Sequence, residues 1–369
     1  MYPRFAMSLL AALVLTSCQK APPQPEGAAA PAPPPAAPAA AAQAPAEAPK
    51  PGSVPVDADN YARAASDLAF ANIVGHGGFG KFDHNRGLTP IDKQTVVRQN
   101  RDTLYSGAVF DLDAGPVTIT LPEAGTRFMS MQVFDQDQYT HQVAYKPGRY
   151  TLRKQDIGSR YALVAVRTLV DPNDPKDVQA VHALQDGITV EQPGGPGTFE
   201  VPQWDTVSLK RLTDALVVLG DSLPDKKHMF GAKGEVEPVR RLIGVATAWG
   251  GNPEKDAIYL NAVPAKNDGT TVYRLTVKDV PVDGFWSVTV YNAKGYFEAN
   301  PKNAYSLNNL TAQKGSDGAI TIQFGGCDGN VPNCLPITPG WNYLVRLYRP
   351  RAEILDGTWT FPEATPMGG

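Results

Sequence analysis

The densest group of chemically capable side chains in this sequence lies in VVRQNRDTLYS, residues 96–106, where Asn100, Arg101, Asp102, Thr103 and Tyr105 sit between more apolar stretches. Such a set can serve a ligand, with Tyr105 stacking on a ring while Asn100, Arg101 and Asp102 bond polar groups. It can also serve the fold, with Asp102 capping backbone N–H groups in a tight turn and Arg101 pairing with a carboxylate. If the segment is extended throughout, alternation sends Asn100, Asp102 and Leu104 one way and Arg101, Thr103 and Tyr105 the other. A turn leading into a strand would instead make a buried polar cluster that fixes how helix, loop and first strand join, and this is the favoured expectation. Asp135, Gln136 and Asp137, which leave a later apolar run, can complete either arrangement. A pair drawn from Asp102, Asp135 or Asp137 would also supply the acid and base of a hydrolase.

Other motifs carry less. VVLGDSLP copies the letters of the GDSL esterase motif, which in that family stands near the start of an α/β domain with its Asp-x-x-His near the end. Here it lies mid-chain after a leucine-patterned helix, and the only Asp-x-x-His runs from Asp225 to His228, immediately downstream. Gly220 and Pro224 suit a helix terminus. The histidines are His76, His84, His141, His182 and His228. His76 and His84 bound the glycine-rich HGGFGKFDH segment containing Asp83, and with His141 they could form a three-ligand zinc site. Their scattered spacing favours structural roles, so neither metal nor cofactor is expected. Cys327 and Cys334 flank a turn-forming Asp328-Gly329-Asn330 and are expected to close a loop disulfide worth about 2 kcal/mol.

The elements that must position these groups follow from periodicity. Residues 57–75 carry Tyr61, Ala65, Leu68, Ala69 and Ile73 at helical spacing, with Asp57 or Asp59 available as N-cap. Residues 115–122, 128–136 and 161–170 are short, rich in β-branched and aromatic residues and punctuated by Gly and Pro, which predicts strands. Two helices are expected over 204–224, with Leu209, Leu212, Leu216 and Leu219 on one face, and over 237–251. Strands return at 271–278, 285–293, 319–324 and 342–350, separated by turn signals such as Asn267-Asp268-Gly269. The fold class implied is mainly β with a few helices, as two antiparallel β-sandwich domains at 57–203 and 257–369 joined by a helical connector at 204–256.

The N-terminus supplies an address. MYPRFAMSLLAALVLTSCQK has a short n-region with Arg4, an apolar run from Ala6 to Leu15 and small residues before Cys18. About 20 apolar residues are needed to span a bilayer, so residues 1–17 are expected to be a cleaved export signal. The small residues before Cys18 resemble a lipobox, which implies acylation of Cys18 and a membrane partner through that anchor. Gln19 in place of Asp favours the outer membrane, on its periplasmic side. Residues 18–56 are dominated by Ala and Pro and are expected to form an extended tether reaching on the order of 100 Å. The formal net charge is −3, and no basic tract stands out, which argues against a nucleic-acid partner.

Two blocks resemble known families. RQNRDTLYSGAVFDLDAGPVTITLP followed by RFMSMQVFDQDQYTHQV is similar to the domain of unknown function 1254. VDGFWSVTVYNAKGYFEANPKNAYSLNN, GAITIQF and PGWNYLVRLYRPRAEILDGTWTFP resemble the domain of unknown function 1214 that commonly follows it. The resemblance implies two jelly-roll-like sandwiches and brings no agreed activity. Where the second family usually has Asn-Trp-Leu-Pro, this chain has Asn333-Cys334-Leu335-Pro336, a departure that fits a disulfide of its own. The expected function is an envelope lipoprotein binding, and in extension processing, a small polar or carbohydrate-like ligand. The alternatives are a non-catalytic lipoprotein that holds a protein partner and a carboxylate-pair hydrolase.

Overall fold

A computed structural model describes residues 50–94 and 96–368. The chain enters with α1 (Tyr61–Gly75), then β1 (Asp83–His84), β2 (Thr103–Asp111), β3 (Val117–Leu121), β4 (Met129–Asp135), β5 (Thr140–Ala144) and β6 (Gly148–Leu152). A short α2 (Lys154–Ile157), β7 (Tyr161–Leu169), α3 (Pro175–Asp186) and β8 (Thr189–Glu191) complete the first half. One antiparallel sheet runs β1-β2-β7-β4-β5, and a second runs β6-β3-β8. Alternation turns Ala108 and Phe110 of β2, Met131 and Val133 of β4 and Val164 and Val166 of β7 toward Val117, Ile119 and Leu121 of β3. Those two inner faces are the core of a sandwich.

Helices cover part of the outer face of the larger sheet. Phe70 and Ile73 of α1 pack on Val109, Phe134 and Leu163. Beside α1 lie α4 (Thr206–Asp221) and α5 (Pro238–Ala248), whose Leu209, Leu212, Leu216 and Leu242 meet Tyr61, Ala62 and Ala64. Asn60, rather than Asp57 or Asp59, occupies the N-cap position of α1, while Asp57 Oδ1 accepts from the N–H groups of Asp59 and Asn60 just before it. Val56, which composition places in the tether, is buried in this helical cluster, so the folded body begins a few residues earlier than expected.

The second half contains β9 (Ala257–Ala262), β10 (Tyr273–Val277), β11 (Trp286–Tyr291), β12 (Ser306–Asn308), β13 (Ile320–Phe324), β14 (Cys334–Leu335), β15 (Asn342–Tyr348), a short α6 (Ala352–Leu355) and β16 (Thr365–Pro366). Sheet β12-β11-β15-β9 faces sheet β14-β13-β10-β16, and all pairings are antiparallel except β13 with β14. Tyr273, Leu275, Val288, Ile322, Phe324, Trp341 and Val345 fill the space between. The disulfide joins Cys327 to Cys334 at the head of β14. The architecture is therefore mostly β, in two sandwiches with a helical segment between them in sequence, as periodicity predicts.

Candidate functional site

The polar stretch at 100–105 is a turn that leads into a strand. Asn100 Oδ1 accepts a hydrogen bond from the Asp102 N–H at 2.8 Å, and β2 begins at Thr103. Asp102 Oδ1 accepts from Ser306 Oγ at 3.0 Å and from Asn308 Nδ2 at 3.1 Å, both on β12 of the second sandwich. The cluster thus ties sandwich to sandwich, a role wider than joining helix, loop and first strand. Asp102 is only 1 % exposed, and its Oδ2 has no hydrogen-bond partner among the described residues. Among the described residues Arg101 pairs with no carboxylate. Its Nη1 donates to the Thr89 carbonyl at 2.9 Å, and its guanidinium lies 5.4 Å from the Phe297 ring centre and 5.2 Å from that of Tyr305. Two electron-rich faces take the place of an anion there.

Arg101 and Asp102 line a cavity of about 610 Å³ between the two halves. Leu88, Leu104, Val170 and Val178 form its apolar wall on the side of the first sandwich, and Lys302, Asn303, Tyr305, Ser306, Asn308 and Thr311 form the opposite wall. This volume falls in the range of small-molecule sites, as does the mixture of apolar surface with a few convergent polar groups. Arg86, at the edge, is held by the Asp186 carboxylate and the His182 carbonyl. Lys302 donates to the carbonyl of Gly329, inside the disulfide loop. The second-sandwich wall comes from EANPKNAYSLNN, a stretch prominent in the family resemblance but given no role from sequence. Its density of Asn, Ser and Tyr was the available signal.

Asn100 and Tyr105 belong to a different polar cluster. Register places Ser287, Thr289 and Tyr291 of β11 beside Arg346, Leu344 and Asn342 of β15, on the face turned away from the sandwich core. That face is buried against the first half. Arg346, 3 % exposed, donates to Thr289 Oγ1 at 2.9 Å, the Tyr291 hydroxyl at 2.8 Å and the Arg98 carbonyl at 2.8 Å. Burial opposes its charge, but Tyr291 and Asp102 outweigh that and hold it above the ordinary guanidinium range. Asn100 Nδ2 lies 3.2 Å from the hydroxyls of both Tyr105 and Tyr348. The guanidinium of Arg167 stands 5.5 Å from the Tyr105 ring centre and bonds Gln132 Oε1 at 2.7 Å. Burial alone would raise both phenols; Arg167 and Asn100 bring Tyr105 below its ordinary value, while burial and the neighbouring Tyr259 drive Tyr348 well above it. Tyr105 therefore faces a cation of the protein itself.

The remaining candidates lie elsewhere. Asp135 Oδ2 pairs with His141 Nε2 at 2.9 Å, and its Oδ1 accepts from the Asp137 and Tyr139 N–H groups, which makes it the organiser of the turn between β4 and β5. Asp137 is bound by Arg63. Asp135 lies opposite Ala162 and Thr103 opposite Leu169 along β7, which sets them roughly 20 Å apart at about 3.3 Å per residue. Asp102 and Asp135 do not share a site, so the carboxylate pair of a hydrolase is not assembled from them. His84 Nδ1 meets Ser106 Oγ at 2.7 Å, but Ser106 is buried, with Gln185 as its other neighbour. Ser222 caps the end of α4 through the Leu219 carbonyl, as a helix terminus and not a nucleophile. Gly78 runs alongside β2, where any side chain would meet Ile73 at 2.6 Å and the Gly107 carbonyl at 2.9 Å. Among the described residues no three His, Cys, Asp or Glu side chains gather as metal ligands, and no helix is long and apolar enough to cross a membrane. Cys18 and residues 1–49 lie outside the described residues.

Comparison with known proteins agrees with this two-part layout. The family model described as "Protein of unknown function (DUF1254)" matches residues 79–192, and the one described as "Protein of unknown function (DUF1214)" matches residues 257–352. No curated protein matches the chain. The crystal structure of the VPA0106 protein from Vibrio parahaemolyticus superimposes with a TM-score of 0.66 at 18% identity, over 85% of this chain and 98% of that one. A putative uncharacterized protein from Burkholderia cenocepacia gives a TM-score of 0.48 at 12% identity, over 84% of this chain and 86% of that one. The Vibrio structure shares the fold across both halves. The chain belongs to the proteins in which a DUF1254 domain is followed by a DUF1214 domain.

Proposed function

We propose that this protein is a lipid-anchored envelope protein that binds a small polar, carbohydrate-like molecule in the cavity between its two sandwiches. The observation that carries this reading is the cavity itself: about 610 Å³, with apolar Leu88, Leu104, Val170 and Val178 on one side and Arg101, Lys302, Asn303 and Tyr305 among the polar groups around it. Asn173 and Asn303 add exposed side-chain amides, and Tyr305 adds an aromatic wall. Amides and an aromatic ring beside apolar side chains suit the alternating polar and apolar faces of a sugar. The anchor rests on Cys18 and its lipobox-like context, and its outer-membrane, periplasm-facing placement rests on Gln19. Saturation-transfer NMR of the full-length protein with a panel of soluble mono- and disaccharides tests the binding reading. Transfer to at least one member, lost in Pro172→Trp at the cavity wall, supports it, and transfer to none contradicts it.

A second reading, docking of a protein partner, draws on the helical segment. Val218 on α4 is 70 % exposed and Val239 on α5 is 64 % exposed, both large aliphatics in solvent. Such residues suit an interface, though scattered ones are also ordinary on a surface.

A further inference from the structure

The cavity carries more cationic than anionic chemistry. Arg86, Arg101 and Lys302 line it against a single acid, Asp102. Arg86 is neutralised by Asp186. Neither Arg101 nor Lys302 has a carboxylate within salt-bridge distance among the described residues; each spends one donor on a backbone carbonyl, Thr89 for Arg101 and Gly329 for Lys302. Arg101 is flanked by two rings, so its hydrogen-bonding edge, with Nε and Nη2 unengaged, is what remains for a partner. Guanidinium edges recognise carboxylates and phosphates through paired N–H donors. At the same cavity stand the exposed amides of Asn173 and Asn303, which suit hydroxyls.

We infer that the ligand is an acidic saccharide, a small sugar bearing a carboxylate, with its charged group against Arg101 and Lys302 and its hydroxyls toward Asn173 and Asn303. This deepens the saccharide reading above and rests on it. A neutral sugar would leave both cations without an anion, and a simple anion would leave the amides unused. The carboxylate is chosen over a phosphate because only one guanidinium edge and one ammonium are on offer beside a buried negative group, an arrangement that suits a single charge.

The test is calorimetric titration of the full-length protein in detergent with glucuronic acid, its neutral counterpart glucose, glucose-6-phosphate and inorganic phosphate. The expected result is glucuronic acid binding at least tenfold more tightly than glucose, with the advantage shrinking as salt is raised. Lys302→Met, a change at an exposed position, should remove most of that advantage, read as the ratio of glucuronic acid to glucose affinity within the same variant; Arg101→Met should do the same, and circular dichroism checks that it folds. Equal affinity for glucuronic acid and glucose overturns the acidic assignment and leaves saccharide binding standing. Preference for glucose-6-phosphate, or tight binding of phosphate alone, overturns the carboxylate. Binding of none of the four overturns the acidic assignment, and the saccharide panel then decides the broader reading separately.

Discussion

Asn308 Nδ2 stands 3.1 Å from Asp102 Oδ1, a hydrogen bond from the edge strand of the second sandwich to the residue just before β2 of the first. Ser306 Oγ reaches the same oxygen at 3.0 Å. Asp102→Ala removes the acceptor and leaves both donors in a buried seam, which is expected to cost about 2–3 kcal/mol. Asp102→Asn keeps an oxygen in that place. Its cost is expected to be below about 1.5 kcal/mol, chiefly from the charge no longer offered to Arg346. Urea denaturation of the two variants checks this, and equal losses would show that the Oδ1 bonds are not what holds the seam.

Arg346 is the other half of that seam. Its guanidinium ties two strand side chains of the second sandwich to the carbonyl of Arg98 in the first. Arg346→Met fills similar volume but leaves the carbonyl and the Tyr291 hydroxyl short of a partner, with an expected loss of about 3 kcal/mol or more. Arg346→Lys is expected to recover little of it, because one ammonium cannot reach donors' partners arranged for a planar fork. Chemical denaturation followed by tryptophan fluorescence measures both.

A pH dependence follows from Asp256. Its Oδ1 accepts from the Tyr145 hydroxyl at 2.8 Å, its Oδ2 is buried without a partner among the described residues, and burial raises its pKa. The folded state then holds a proton that the unfolded state has released. The stability contributed is full below the ordinary carboxylate range and is lost as pH rises through the raised value. Asp256→Asn is expected to be more stable than the parent at pH 8, with the difference shrinking toward pH 4. Thermal melts across that range decide it, and a variant less stable at pH 8 would contradict the account.

The export reading makes a separate prediction. Cys18→Ser is expected to abolish acyl labelling and to move the protein from the membrane pellet to the soluble fraction. An unchanged pellet on fractionation would contradict lipid anchoring at that residue.

Much of the framework was legible because its periods are strong. VTITL, MSMQVFD and YALVAVRTL alternate or run apolar over strand lengths, and the leucines of α4 recur on one face. Helix α3 was not anticipated, although Asp174 as N-cap and Pro175 at the first position mark its start, because its apolar residues Val178, Val181 and Leu184 are diluted by polar neighbours. The polar segment 100–105 was legible as a place of interest, and its turn was one of the two forms considered. Its partners were not. Ser306, Asn308 and Arg346 lie some two hundred residues away, and only tertiary packing turns the polar face of NYLVRLY toward the first sandwich. Nor could spacing show that Arg101 and Asp102 face a cavity while Asn100 and Tyr105 join a separate cluster.

The cavity as a binding site is tested most directly by blocking it. Pro172 is exposed and lines the cavity, so Pro172→Trp places bulk there without touching the buried seam. Calorimetric titration of the saccharide that responds in the NMR panel, into the parent and this variant, is the measurement. The account predicts saturable binding to the parent and at least tenfold weaker binding to Pro172→Trp at an unchanged melting temperature. Equal affinity in the two proteins would place the ligand elsewhere and contradict the cavity as its site.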